Sequence, residues 1–130
     1  MRTIEWDYEH NYLKIIDQRV LPSQFEILTL YNYKAVADAI RNMAVRGAPA
    51  IGVAAGFGMA FAALESKANT IAELRNDLKE AARLLGKARP TAINLSWALE
   101  HILAVADKQV GSAADLRVRI LKTAQQMADE

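Results

Sequence analysis

The chain has 130 residues, 52% of them hydrophobic, which suits one folded domain and excludes a disordered protein. Sixteen Lys and Arg against 15 Asp and Glu give a net charge of +1, so no broad basic field is present to hold a nucleic acid. The absence of cysteine excludes disulfides, thiolate metal sites and a cysteine nucleophile within the chain. Any anion must therefore be bound by a small local group of residues.

The first thirty residues or so are predicted to form a small antiparallel sheet. Residues 3–6 and 12–16 flank a polar turn at residues 8–11, which is the pattern of a β-hairpin. Residues 25–30 predict a third strand. Pro22 separates it from the hairpin, because proline cannot donate to a strand ladder.

After Asn32 the apolar period becomes helical, starting with residues 34–45. Residues 49–66 are apolar on every side and predict a central buried helix, too rich in Gly and Ala for a membrane span. Further helices are predicted at residues 70–86, from Pro90 to Lys108, and around residues 116–127. The expected fold is α+β, a single domain over residues 1–130. Strands occupy residues 1–31 and a bundle of about five α-helices occupies residues 34–130.

Two turns carry the residue types that bind phosphate. Arg46, Gly47 and Ala48 precede Pro49 at the start of the central helix, and Arg89 precedes Pro90 in a second turn of similar plan. A helix N-terminus exposes N–H groups, and an arginine can donate two hydrogen bonds to phosphate oxygens. The alternatives are an ordinary loop, or an Arg89 that caps the preceding helix or pairs with a carboxylate such as Glu65 or Asp107.

Other polar and aromatic side chains are weaker candidates. Asn94 lies one turn beyond Arg89 and is a further candidate for the same site. His10 and His101 are interpreted as surface or core residues, and no metal site or cofactor is predicted. The aromatic side chains are interpreted as core or domain-interface residues: Trp6, Phe57 and Trp97.

Several blocks of the sequence resemble methylthioribose-1-phosphate isomerases. Residues 40–55 read IRNMAVRGAPAIGVAA and residues 88–95 read ARPTAINL, which resemble the two hallmark blocks of that family. Residues 2–6, RTIEW, and 16–22, IDQRVLP, resemble its beginning. The wider family includes subunits of the translation factor eIF2B and ribose-1,5-bisphosphate isomerases, which usually match the two blocks less completely.

The resemblance implies an aldose–ketose isomerase of methionine salvage that converts 5-methylthioribose 1-phosphate to 5-methylthioribulose 1-phosphate. It implies that Arg46, Gly47, Ala48 and Arg89 bind the substrate phosphate and sugar. The family's catalytic cysteine and aspartate belong to a Rossmann-like C-terminal domain, and nothing in this sequence matches them. We therefore expect the chain to be an N-terminal domain without catalytic residues of its own and without turnover when isolated.

The same resemblance sets the expected partners. They are a sugar-phosphate substrate, a C-terminal domain and a second copy in a homodimer, in a cytoplasmic protein that binds neither nucleic acid nor membrane. Three alternatives remain open: a regulatory or ligand-sensing module like an eIF2B subunit, a ribose-1,5-bisphosphate isomerase, and a stand-alone helical interaction protein.

Overall fold

A computed structural model describes residues 2–130 and confirms the α+β prediction, with three strands followed by five helices. The elements are β1 (Ile4–Asp7), β2 (Tyr12–Ile16), β3 (Ile27–Leu30), α1 (Tyr33–Arg41), α2 (Ala48–Glu65), α3 (Ile71–Gly86), α4 (Ile93–Lys108) and α5 (Ala113–Asp129).

The sheet is antiparallel in the order β1-β2-β3, with Trp6 opposite Leu13 and Leu13 opposite Leu30. Alternate residues of β1 and β2 are buried, as the strand period requires: Ile4, Trp6, Leu13 and Ile15. The sheet meets the helices mainly through Trp6, whose ring stacks on Phe57 at 5.5 Å and tilts against Phe61 at 4.7 Å. Trp6 and Phe57 are thus core residues, as predicted.

Helix α2 is the centre of the bundle, as its all-round apolar sequence predicts. It contacts the other four helices and β1. By length and hydropathy α2 could cross a membrane, but 67% of its residues are buried inside the fold, as expected for a core helix. Its small residues allow close packing: a Cβ added to Gly58 would lie 3.2 Å from both Leu85 and Val36.

Three predicted boundaries are wrong by two to four residues. Strand β3 begins at Ile27 instead of residue 25. Helix α1 ends at Arg41 instead of residue 45, because the Asn42 side chain accepts the Ala44 N–H and Met43 adopts a left-handed φ of 69°. Helix α4 begins three residues after Pro90.

The delayed start of α4 has a local cause. The Ala92 N–H donates to the Arg89 carbonyl at 3.0 Å, which closes a turn containing Pro90 and Thr91 before the helix begins. Proline also disfavours helical geometry in the residue before it, so Arg89 stays outside the helix. The consequence is that Arg89 lies on a connecting turn, facing the start of α4.

Arginines from other helices fix the far ends of α2 and α4. Arg117 of α5 donates to the carbonyls of Ala63 and Ser66, both at 2.8 Å, where α2 ends. Arg75 of α3 donates to the Ala106 carbonyl at 2.9 Å, near the end of α4. The free carbonyls at these two helix C-termini are therefore partly satisfied by the protein itself.

Candidate functional site

The turn between α1 and α2 is anchored in the core, and this anchoring presents Arg46. Ala44 and Val45 are buried. The Gln18 N–H donates to the Ala44 carbonyl at 3.0 Å, and the Val45 N–H donates to the Ala39 carbonyl at 3.1 Å. The next residue, Arg46, is exposed, and among residues 2–130 it forms no hydrogen bond or ion pair. Its guanidinium group is free to bind an anion.

Gly47 turns the chain sharply into α2. Its backbone φ is +92°, a value that residues other than glycine rarely adopt. A Cβ built on Gly47 would meet no atom within 4 Å, so the space beside the backbone is open. A ligand can therefore approach the main chain at the N-terminus of α2, where the N–H groups of the first turn have no helical partner.

Arg89 combines a positive charge with an unsatisfied buried donor. Its Nη1 atom is buried and has no hydrogen-bond partner within the described chain. The two carboxylates considered from the sequence do not supply one: Glu65 accepts the Tyr33 N–H at 2.9 Å, and Asp107 forms no ion pair within residues 2–130. A buried donor without an acceptor costs free energy. The interpretation of Arg89 as half of an internal ion pair is therefore wrong.

The two predicted turns line one open cleft of about 690 Å³. It contains all five predicted site residues: Arg46, Gly47, Ala48, Arg89 and Asn94. The sequence interpretation missed five other lining residues: Met43, Ile51, Thr91, Ala92 and Ile93. The last four flank the predicted turns along the chain and could have been proposed from adjacency alone. Met43 lies in the turn that follows the end of α1.

Both helices that begin at this cleft lack a side-chain cap. The N-cap of α2 is Gly47 and that of α4 is Ala92, and neither residue carries a side chain that can accept a hydrogen bond. The other three helices are capped by their own side chains, from Asn32, Thr70 and Ser112. The partial positive charge of a helix N-terminus thus has no side-chain acceptor at two helix starts, and both starts line the same cleft as Arg46 and Arg89.

The cleft suits anion binding but not proton transfer. Its lining includes Arg46 and Arg89 as charged residues and Thr91 and Asn94 as polar ones, with no carboxylate, imidazole or lysine side chain among its described members. Arginine stays protonated at physiological pH and is a poor general base. An aldose–ketose isomerisation needs groups that remove and return a proton. The cleft therefore has the chemistry of an anion site, and its described lining offers no group for proton transfer.

The histidines lie outside the cleft. His101 stacks under Trp97 at 5.2 Å on α4, and Trp97 is 55% exposed, so Trp97 is not a core residue of this domain. His10 lies in the hairpin turn with Asp7 and Glu9, close enough in principle for shared metal binding. The Asp7 carboxylate already accepts the N–H groups of Glu9 and His10, which makes this cluster a capped turn. The hydrogen bond from the His10 ring, together with these, holds the pKa of Asp7 below its usual value.

The fold and the cleft define a class of protein: an α+β domain in which two arginine-bearing turns at helix N-termini face one cleft. A sequence model of the Initiation factor 2 subunit family matches residues 44–130, which include both turns. The chain belongs to this family.

Individual relatives match across nearly the whole chain. The methylthioribose-1-phosphate isomerase of Herpetosiphon aurantiacus is 43% identical over 100% of this chain and 36% of its own length. The crystal structure of 5-methylthioribose 1-phosphate isomerase from Pyrococcus horikoshii covers 98% of the chain at 40% identity, with a TM-score of 0.89. That of translation initiation factor eIF-2B subunit delta from A. fulgidus covers 99% at 40% identity, also with a TM-score of 0.89. The chain spans 36% and 37% of these two structures.

Proposed function

We propose that this chain is the substrate-anchoring N-terminal domain of an isomerase that converts 5-methylthioribose 1-phosphate to 5-methylthioribulose 1-phosphate. Relatives at about 40% identity that are named methylthioribose-1-phosphate isomerases support the isomerase assignment. The domain's own contribution is to hold the phosphate in the cleft at the starts of α2 and α4. The complete protein acts in the cytoplasm, as a homodimer, in methionine salvage.

Two arginines and two helix starts hold the phosphate. The guanidinium groups of Arg46 and Arg89 donate to its oxygens, and the buried Nη1 of Arg89 gains the acceptor that it lacks in the free protein. The open N-terminus of α2, which begins at Ala48 after the uncapped Gly47, adds backbone N–H groups for the same ligand. Asn94 donates to or accepts from a sugar hydroxyl from the first turn of α4.

Holding the phosphate matters for the reaction because the phosphate ester is on C1. The sugar cannot open through a free hemiacetal, so its ring must be opened while the phosphate stays fixed. Isomerisation then moves hydrogen between C1 and C2, which requires an acid and a base near those atoms. Since the cleft lining provides neither, the proton-transfer groups lie in the polypeptide that makes up the rest of the relatives' length.

The observation that carries this proposal is the coincidence, on one cleft, of two uncapped helix starts and an arginine with a buried free donor. A titration of the ¹⁵N-labelled chain with 5-methylthioribose 1-phosphate, followed by NMR, tests it. We expect the largest shifts at the amides of Gly47, Ala48, Ile93 and Asn94. Dephosphorylated 5-methylthioribose is the control and should leave them in place. Shifts confined to other elements would contradict the proposal.

A regulatory subunit is the second candidate, because the subunit of initiation factor eIF-2B from A. fulgidus matches as well as the isomerase does. A chimera separates the two functions: this chain replaces the matching segment of the P. horikoshii isomerase. Isomerase turnover by the chimera supports the enzyme. A folded chimera that binds the sugar phosphate without turnover favours the regulator. The isolated chain should show no turnover in either case.

A further inference from the structure

A buried carboxylate lies behind the turn that carries Arg46. Among residues 2–130, Asp17 is the one charged residue that the fold buries, and it is only 2% exposed. It directly follows β2, at the end of that strand opposite the hairpin turn. A charged side chain is rarely buried unless it is paired, so the contacts of Asp17 indicate what it does.

Asp17 closes a short turn through Arg19. Its carboxylate accepts the Arg19 backbone N–H at 3.0 Å, the Nε at 2.9 Å and the Nη2 at 2.8 Å. The Asp17 N–H donates to the Glu26 carbonyl at 2.9 Å, which ties the turn to the chain that enters β3. The hydrogen bonds from Arg19 also hold the pKa of the Asp17 carboxyl below its ordinary value, so the pair stays charged. We call residues 17–19 the Asp17 turn.

The Asp17 turn is joined directly to the segment that presents Arg46. The N–H of Gln18, the middle residue of the turn, donates to the Ala44 carbonyl at 3.0 Å. Ala44 is fully buried and lies two residues before Arg46. One hydrogen bond thus connects the end of β2 to the backbone from which the guanidinium group of Arg46 extends.

The segment that receives this bond is strained. Met43, next to Ala44, has a φ of 69°, a left-handed value that costs free energy for a residue with a Cβ. The Asn42 side chain supports it locally by accepting the Ala44 N–H at 3.0 Å. A strained backbone persists only where its surroundings determine it, and the N–H of Gln18 adds a constraint from outside the segment.

We infer that Asp17 is a positioning residue for Arg46; this inference rests on the proposed function, in which Arg46 binds the phosphate. The carboxylate fixes the Asp17 turn, and the Gln18 N–H carries that constraint to the Ala44 carbonyl. The direction in which Arg46 leaves the core is then set two residues further on. Asp17 is not among the described residues that line the cleft, so it acts on the ligand only through these contacts. Such support matters because a displacement of about 1 Å at a binding group can weaken its action strongly.

Two substitutions of Asp17 test the inference, with Asp7→Ala as the matched control. We expect Asp17→Ala to weaken binding of 5-methylthioribose 1-phosphate about tenfold, the lower end of what residues that orient metal ligands contribute. Asp17→Asn keeps an oxygen that can accept the Arg19 N–H, so it should recover part of the loss. Asp7 also accepts backbone N–H groups, from Glu9 and His10, but at the opposite end of β2. Asp7→Ala should therefore lower stability and bind as wild type does.

Backbone dynamics of the free chain give a readout that a loss of stability alone does not move. ¹⁵N relaxation dispersion reports exchange between conformations on the microsecond to millisecond scale. At the amides of Val45, Arg46 and Gly47 it should be small in the wild type and in Asp7→Ala. It should rise at these three amides in Asp17→Ala, because the segment has lost the support of the Asp17 turn.

The outcomes keep this inference separate from the proposed function. If the wild type binds the sugar phosphate and both Asp17 variants bind it equally well, Asp17 does not position Arg46 and the phosphate cleft stands. Exchange confined to the sheet in Asp17→Ala would also overturn the inference. If the wild type does not bind at the cleft, the proposed function fails, and the inference fails with it. If Asp17→Ala does not fold, the same two measurements on Asp17→Asn decide, with smaller changes in the same directions expected.

Discussion

The five helices of this domain begin in two different ways. Asn32, Thr70 and Ser112 each accept a backbone N–H of the first turn of α1, α3 and α5, at 2.8 Å, 3.1 Å and 3.1 Å. Gly47 and Ala92 leave the starts of α2 and α4 without such a bond. The first N–H groups of a helix need acceptors outside the helix. A side chain of the protein supplies one at the starts of α1, α3 and α5, and none does at the starts of α2 and α4.

The open starts are not scattered over the surface. Both line one cleft, and Arg46 and Arg89 line it with them. The opposite ends of the same two helices are bound by Arg117 and Arg75, so the bundle does satisfy its helix termini where no ligand is expected. The two ends of α2 and α4 therefore differ, and open N-termini beside two arginines are the arrangement that the proposed phosphate site requires.

Removing the cleft arginines should have the largest effect on ligand binding. Arg46→Ala and Arg89→Ala each delete charged hydrogen bonds, which are worth about 1.5–3 kcal/mol apiece. We expect each change to weaken binding of methylthioribose 1-phosphate by roughly 10–150-fold, measured by calorimetry. Arg119→Ala, an exposed arginine of α5 outside the cleft, is the matched control and should bind normally. Wild-type affinity in both cleft variants would remove the arginines from the site.

Gly47→Ala should lower stability through backbone strain alone. The residue has a φ of +92°, and a left-handed conformation costs about 1–2 kcal/mol for residues with a Cβ. Apart from the two neighbouring residues, no atom of residues 2–130 lies within 4 Å of the added Cβ, so a clash with the rest of the described fold does not explain a loss. Gly52→Ala is the control: it is helical, its Cβ makes ordinary contacts, and it should be neutral or slightly stabilising in urea unfolding. Equal stability of the two variants would contradict the strain argument.

Ser112→Ala should measure what a side-chain cap contributes in this fold. Ser112 accepts the Asp115 N–H at 3.1 Å and Asp115 accepts the Ser112 N–H at 2.9 Å, a complete capping box. We expect the free energy of unfolding to fall by about 1 kcal/mol. Ala114→Ser, an exposed change in the first turn of the same helix, should have a smaller effect. Urea unfolding measures this change, and an unchanged unfolding midpoint in Ser112→Ala would show that the stability of α5 does not depend on its cap.

The capping box also makes the start of α5 sensitive to acid. The N–H of Ser112 donates to Asp115 and holds the pKa of that carboxyl below its ordinary value of 3.8. A lowered pKa stabilises the fold above pH 3.8, and this contribution is lost as the pH falls through the folded-state pKa. Asp115→Asn should therefore lose less stability than wild type between about pH 4 and pH 2. If the melting temperatures of the wild type and Asp115→Asn fall in parallel with pH, the Asp115 carboxylate does not make the fold sensitive to acid.

Sequence reasoning found these features unevenly. The Thr70 cap, the hairpin and the helical periods are local, so they could be predicted from neighbouring residues. The end of α1 at Arg41 depends on the Asn42 side chain and on burial of Val45, which the helical period hides. At Ser112 the sequence predicted only a break between two helices, and the structure adds the capping box with Asp115.

Local sequence chemistry identified the two turns, and the family resemblance implied that they bind one substrate, but neither gives the geometry of the cleft. Arg46 and Arg89 are far apart in the chain, and they line one cavity because α2 and α4 cross closely at Gly52. The small-residue pattern of α2 predicted close packing but not the partner helix. The buried, unpartnered Nη1 of Arg89 depends on that packing too, since burial is a property of the assembled bundle.

Giving α4 a cap of its own should produce the smallest change in stability and the sharpest test of the contrast between helix starts. Ala92 has extended backbone angles, φ −78° and ψ 107°, which suit a serine N-cap. Ala92→Ser should therefore raise the free energy of unfolding by about 0.5 kcal/mol. The new hydroxyl would accept an N–H of the first turn that the phosphate otherwise uses, so affinity for methylthioribose 1-phosphate should fall.

Ala92→Asp sharpens the same test. The carboxylate caps α4 and also repels the phosphate dianion, so binding should weaken more than in Ala92→Ser while stability still rises. Ala104→Ser, an exposed change within α4 outside the cleft, should leave affinity unaltered. If both capped variants are more stable and bind as wild type does, the open start of α4 has no part in holding the ligand. Opposite signs for stability and affinity are what an anion site at this helix requires.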